Sequence, residues 1–236
     1  MTGKHSRAGN AGKTGKVNKT WLHDHLNDPY VKLAQKEGYR ARAAYKLQEL
    51  DQEFQLLKGA RVVVDLGCAP GAWCQYLSRK LALGRATAEG GAAGQGAAAA
   101  PLVVGVDLLL MEPVAGVHFI QGDFQQDEVL QCLQQAVQGR AVDLVVSDMA
   151  PNLSGHAATD GARVQTLVEM AVDFAQAHLR SDGAMVAKVF HGPGYDELAA
   201  LFRQTFRKSR PYKPKASRSR SAEVFLIGQG LRGGQG

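Results

Sequence analysis

A chain of 236 residues, 45% of them hydrophobic, can bury a substantial single core, and no apolar run approaches the ~20 residues of a bilayer-spanning helix. The first twenty residues lack a secretory apolar stretch, and Cys68, Cys74 and Cys132 show no CxxC spacing; a cytoplasmic protein with reduced thiols is expected, without a disulfide framework or zinc site. The net charge of +6 is clustered: residues 1–20 hold five Lys/Arg and residues 203–220 eight, neither with an acid, which leaves the remainder at −7 and points to a polyanion, nucleic acid ahead of membrane.

Residues 1–18 have almost nothing to bury and read as a disordered basic tail. One domain is expected over 19–230, with a flexible C-terminus at 231–236. Helical periodicity runs over 21–36 and again over 39–50, where Ala43, Leu47 and Leu50 share a stripe. Strands are predicted at 61–66, 102–107, 117–120, 142–147, 183–190 and 222–228, and helices at 71–82, 125–138, 160–179 and 194–206. Valine-rich strands alternating with helices specify an α/β, doubly wound, mostly parallel sheet with helices on both faces. The run GRATAEGGAAGQGAAAAP (84–101) is low-complexity Ala/Gly and is expected to be a flexible surface insertion.

The first strand ends in DLGCAPGAW (65–73). A Gly-rich turn between strand and helix lets backbone approach a ligand, and the helix N-terminus offers free N–H groups. It is neither GxGxxG nor a P-loop, since no Lys-Ser/Thr follows it. The second strand ends in Asp107, placed to accept ribose hydroxyls; its distance of 42 residues from Asp65 reflects the Ala/Gly run. Asp123, in QGDF, could receive an adenine amino group, and Asp148, in SDMAP, ends the fourth strand. These four sites lie at carboxyl ends of strands, where open α/β sheets bind ligands. An adenine-ribose ligand with few phosphates fits them, which points to S-adenosylmethionine.

The strand GAMVAKVF (183–190) is apolar on both faces except for Lys188, and an ammonium is expensive to bury without a partner. The seven histidines show no ligand spacing, so no metal is assigned; His23 and His25, two apart, cannot share a helix face. Cys68, inside the Gly turn, is read as a small packing residue.

In order along the chain, RARAAYKLQELD, VVDLGCAPGAWCQYL, VVGVDLL, IQGDF, VVSDMAPNLSG, VAKVFHGPGYDEL and SRSRSAEVFLIG resemble the motifs of the FtsJ/RrmJ family of RNA ribose 2′-O-methyltransferases, from about residue 21 to 228. The resemblance implies a Rossmann-like S-adenosylmethionine-dependent methyltransferase fold. It further implies 2′-O-methylation of a uridine in the A-loop of large-subunit (23S) rRNA within the 50S subunit. The family's catalytic Lys–Asp–Lys–Glu tetrad falls on Lys46, Asp148, Lys188 and Glu223, and its cofactor contacts on Gly71, Trp73, Asp107, Asp123 and Asp148. The Ala/Gly run and the basic tail depart from the compact family pattern without touching a motif.

Methyl transfer from a sulfonium to a hydroxyl is an in-line displacement that needs alignment and no metal. Lys188 is expected either to accept the 2′-hydroxyl proton or, as an ammonium, to steady the developing alkoxide. Lys46 and Glu223 would orient the ribose or balance charge. The basic residues at 203–220 and around Arg40 and Arg42 would grip the RNA backbone. A monomer is expected. Competing readings are a 2′-O-methyltransferase of tRNA or an mRNA cap, and a non-catalytic RNA-binding ribosome-assembly factor of the same fold; a small-molecule methyltransferase fits the basic clusters less well.

Overall fold

The computed structural model describes residues 27–89, 100–151 and 155–233. The basic tail, His23, His25, most of the Ala/Gly run and the last three residues lie outside them. Among the described residues no helix is long and apolar enough to cross a membrane.

Helix α1 (Pro29–Glu37) starts where the Asp28 carboxylate accepts the Tyr30 N–H at 2.9 Å, has proline in its first turn, and stops at Gly38, whose φ of 71° suits a residue without a Cβ. Helix α2 (Ala44–Phe54) buries Ala44, Leu47 and Leu50 and leaves Lys46 on its flank. Then follow β1 (Val62–Leu66), α3 (Ala72–Glu89), β2 (Leu102–Asp107), β3 (Val117–Gln121), α4 (Asp127–Ala136), β4 (Val142–Ser147), α5 (Ala157–His178), β5 (Leu179–Phe190), α6 (Tyr195–Thr205), β6 (Phe206–Tyr212) and β7 (Glu223–Leu231).

The strands form one sheet in the order β3-β2-β1-β4-β5-β7-β6. The first five are parallel, as the valine-rich alternation predicts; β7 runs antiparallel between β5 and β6. No helix connects β6 to β7, so the chain returns alongside itself, which only an antiparallel pair allows over so short a link.

Two apolar clusters cover the two faces. Val62, Val64, Met185, Ala187 and Val189 face α4, α5 and α6, while Val63, Leu144, Val186, Phe225 and Ile227 face α2 and α3. Along β5 the second set continues from Ala184 and Val186 to Lys188, so period 2 places the lysine on the α2/α3 face.

Several boundaries differ from the sequence reading; among the described residues the helices read over 21–36 and 39–50 are Pro29–Glu37 and Ala44–Phe54. Helix α3 runs on to Glu89, into the segment expected to be a flexible insertion, because the alanines there are good helix formers and periodicity is not needed to extend an established helix. Strand β5 begins at Leu179, with its register against β4 shifted between Val142 and Leu144. Strand β6 reads in the sequence only as a basic stretch leading into the last strand. It is an edge strand, and its exposed Arg207, Lys208, Arg210 and Pro211 are the residues that keep an edge from pairing with another chain, so they hide the strand pattern.

Candidate active site at the carboxyl edge of the sheet

The strand order turns between β1 and β4, β2 and β3 lying to one side and β5 to the other, and loops from both sides line the crevice outside their carboxyl ends. The β1–α3 turn is packed against the loop after β4. Asp148 donates its backbone N–H to the Leu66 carbonyl at 3.1 Å, and a Cβ on Gly67 would sit within 2.9 Å of the Met149 backbone. Gly71, at φ 103°, has no room either: a Cβ there would lie 2.7 Å from both Arg40 Nη1 and Met111 Sδ.

Asp107 braces this turn from the next strand. Its Oδ2 accepts the Ala69 N–H and its Oδ1 the Leu109 N–H, each at 2.8 Å. Each oxygen keeps a second lone pair for a ligand. Asp123 turns its own loop by accepting the Gln125 N–H on Oδ1 at 3.0 Å. Beside Asp107, the side chains Leu108, Leu109 and Leu110 stand 62–77% exposed.

Trp73 is only 3% exposed, packs its ring on Phe225 at 5.8 Å between centroids, and spends its indole N–H on the Ala43 carbonyl at 2.8 Å. Its indole donor is therefore structural, tying α3 to the start of α2.

The four tetrad positions come together as two ion pairs. Lys188, 8% exposed, places Nζ 2.7 Å from Asp148 Oδ1 and donates to the Asp148 carbonyl, also at 2.7 Å. Lys46 Nζ lies 2.7 and 2.9 Å from the two oxygens of Glu223. The β5–β7 register sets Phe225 opposite Lys188 and Glu223 opposite Phe190, so both pairs open on the same sheet face. Burial alone would raise the Glu223 carboxyl, but the hydrogen bond and charge of Lys46, with a smaller contribution from Lys188, hold it below its ordinary value. In formal charge the two lysines and the two carboxylates balance.

Under this floor lies a second buried acid. Asp65 is fully enclosed; Oδ2 accepts the Cys74 thiol at 3.2 Å and Oδ1 has no hydrogen-bond partner. Burial pushes its carboxyl up to about 7 against the opposing Cys74 hydrogen bond, and the charges of Asp148 and Asp107 add to the rise. Cys68 is buried beside it, as expected of a packing residue.

Arg40 and Arg42 spend their guanidinium groups on partners within the fold. Arg40 Nη1 donates to the carbonyls of Pro70 (2.9 Å) and Glu112 (2.6 Å), and Nη2 to that of Pro113 (2.8 Å), stitching the β1–α3 turn to the loop after β2. Arg42 pairs with Asp28, donates to the Ala216 carbonyl and lies over the Tyr30 ring. A charged residue in a basic motif carries no sequence mark of whether it faces solvent or its own backbone, so these roles were not legible. Among the described residues no group of three or more His, Cys, Asp or Glu could hold a metal ion.

A cavity of about 320 Å³ opens beside the Lys46–Glu223 pair, lined also by Ala41, Arg42, Ala43, Arg218 and Ser221. An acceptor can thus enter from the α2 side while the glycine turn and the acids of β2 and β3 flank the other.

The FtsJ-like methyltransferase family matches residues 39–231. A relative from Paracidovorax citrulli, named ribosomal RNA large subunit methyltransferase E, is 59% identical over 220 residues, covering 93% of this chain and 97% of that one. A protein of the same name from Burkholderia cenocepacia is 53% identical over 92% of this chain and 97% of its own. The crystal structure of a Plasmodium falciparum protein named as a ribosomal RNA methyltransferase superposes with a TM-score of 0.67 at 26% identity, over 82% of this chain and 98% of that one. With the motifs, the sheet order and a match that spans most of its length, the chain belongs to the FtsJ-like methyltransferase family.

Proposed function

We propose that this protein, acting as a cytoplasmic monomer, methylates the ribose 2′-hydroxyl of a uridine in the A-loop of large-subunit (23S) rRNA, with S-adenosylmethionine as methyl donor. The observation that carries the proposal is the meeting of two lysine–carboxylate pairs at the carboxyl edge of the sheet, in a chain whose near relatives are named for large-subunit rRNA.

The residues present fit the donor. Gly71 holds the turn in a conformation and a space that only glycine fits, Asp107 keeps lone pairs for ribose hydroxyls, and Asp123 keeps one carboxylate oxygen beyond its own turn. When bound, S-adenosylmethionine supplies an already activated methyl group. The chain's residues then need to hold the hydroxyl oxygen in line behind that carbon and deal with its proton.

Lys188 is held by two oxygens of Asp148, one carboxylate and one carbonyl, and both favour the ammonium. This geometry supports the cationic reading, in which Lys188 steadies the oxygen as its charge develops and the hydroxyl proton leaves late, to bulk water. Asp148 orients Lys188 through the 2.7 Å pair, and Lys46, fixed by Glu223, faces the accepting ribose from α2.

The test is incubation of the protein with methyl-labelled S-adenosylmethionine and, separately, large subunits, naked rRNA and tRNA, followed by primer extension at low nucleotide concentration. Label in 23S rRNA with one stop at an A-loop uridine is expected. Label confined to tRNA, or none in any RNA, overturns the proposal.

A further inference from the structure

Of the charged groups around the crevice, one has no use in the fold. Arg218 is half-buried, yet among the described residues its guanidinium makes no hydrogen bond or ion pair. It stands near a like charge: Arg42 is pushed below its ordinary value first by burial and then by the charge of Arg218. The acids at hand are already engaged, Asp28 with Arg42 and Glu223 with Lys46. A guanidinium held half out of water against another cation is unfavourable until an anion arrives.

The surroundings say which anion. Arg218 and Arg42 line the cavity beside Lys46–Glu223, and both also line a second cavity of about 470 Å³, walled by Tyr30, Pro29, Ser219 and Arg220. The two cavities are therefore one groove with Arg218 at the junction. One end is the lysine–carboxylate pair at which a ribose would sit. At the other, Arg42 lies 5.6 Å over the Tyr30 ring. RNA bases stack on aromatic rings and on guanidinium planes, and the phosphodiester that follows a ribose lies only a few bonds from its 2′-oxygen.

We propose that Arg218 binds the phosphodiester adjoining the methylated ribose, and that the cavity walled by Tyr30 and Arg42 receives the neighbouring nucleotide. The subsite rests on the RNA-ribose reading above and adds a second nucleotide to it. A planar fork suits a phosphate bidentately, whereas a lysine there would be only a point charge. Arg42 is a positioning residue: its bonds to Asp28 and Ala216 draw α1 and the 213–221 loop together and so build the groove.

The test compares full-length wild type with Arg218→Ala, Arg218→Lys and Tyr30→Ala. It uses binding to a 23S rRNA fragment between 50 and 200 mM salt, S-adenosylmethionine binding by calorimetry, and single-turnover methylation of large subunits. For Arg218→Ala, RNA affinity should fall roughly tenfold and the slope of log K against log salt should shrink by about one. Cofactor affinity should stay within twofold, which also reports that the variant is folded. Arg218→Lys should recover the slope but only part of the affinity. Tyr30→Ala should weaken RNA binding roughly fivefold or more without changing the slope.

Wild-type affinity and slope in Arg218→Ala, alongside normal methylation by wild type, overturn the subsite and leave the parent reading standing. A loss of affinity with an unchanged slope makes Arg218 structural and also overturns it. A loss on intact subunits but not on naked rRNA shifts the contact to a ribosomal protein and overturns the subsite as well. Failure of wild type to methylate any large-subunit RNA removes the parent reading instead.

Discussion

Lys188 is tolerated in a strand otherwise built for the core because both oxygens that reach it belong to Asp148, the residue that closes the neighbouring strand. The ammonium is thus desolvated and compensated at once, and removing it leaves a half-buried carboxylate without its cation. Lys188→Ala should abolish methyl transfer while S-adenosylmethionine still binds within a few-fold of wild type, as calorimetry and a labelled-methyl assay would show; near-normal turnover would exclude a catalytic role. Asp65 makes a different kind of prediction. Its carboxyl titrates near 7 in the folded protein against an ordinary value of 3.8, so from about pH 4 to 7 the native state holds a proton that the unfolded state has lost. Its contribution to stability is complete below about pH 4 and is lost as pH rises to 7, with a slope of up to about 1.4 kcal/mol per pH unit. Glu223, depressed instead, contributes above its ordinary 4.5 and loses that contribution only in acid, so it leaves the range from about pH 5 to 8 flat. Urea denaturation from pH 5 to 8 should show stability declining in wild type relative to Asp65→Asn, and parallel curves would contradict the buried, protonated Asp65. At this scale the sequence was most legible where a residue broke its pattern. Lys188 interrupts an apolar run and declares itself; Asp65 interrupts one too but reads as the start of the Gly-rich turn, and Arg218 is one base among many in a basic cluster.

At the scale of elements, the segment between α1 and α2 does more than connect them. Tyr39 to Ala43 sends Arg40 to three carbonyls on the cofactor side, receives the Trp73 indole at Ala43, and leads into the helix that carries Lys46. The glycine turn is thereby held to the loop after β2 by a side chain from outside both. Replacing Arg40 by alanine leaves those carbonyls to water and frees the turn, so S-adenosylmethionine affinity should fall about tenfold, the scale of one or two charge-assisted hydrogen bonds. Binding of the 23S rRNA fragment in low salt should hardly change. The reverse outcome, weakened RNA binding with intact cofactor affinity, would return Arg40 to the RNA-gripping role that its basic motif suggested. The central strands were readable because each is a short valine-rich run buried on both faces. Strand β6 was not, since an edge strand is defended by the same charges and proline that mark a loop, and its pairing with β7 depends on a contact that no local pattern encodes.

Across the whole molecule, the tetrad draws on positions 46, 148, 188 and 223, and the sheet brings them together only because β7 inserts antiparallel beside β5. The same insertion carries the basic cluster to one flank. Lys208 and Arg210 share a face of β6 with Tyr212, which packs edge-on against Phe54 of α2 at 5.4 Å, so their charges stand on the side of the sheet that holds Lys46 and the groove. With the two basic clusters set aside the remainder of the chain is negative, and a polyanion approaching elsewhere is repelled. Binding should therefore be steep in salt, because every phosphate neutralised releases condensed counterions. If RNA runs from the groove along this flank, changing both Lys208 and Arg210 to glutamine should lower the slope of log K against log salt by about two. The cofactor affinity and the turnover of saturated enzyme should be unchanged, since both residues are exposed and remote from the two ion pairs. An unchanged slope would end the RNA path at Arg218, and a reduced turnover at saturating RNA would mean that β6 supports the site through β7 rather than through phosphate contacts.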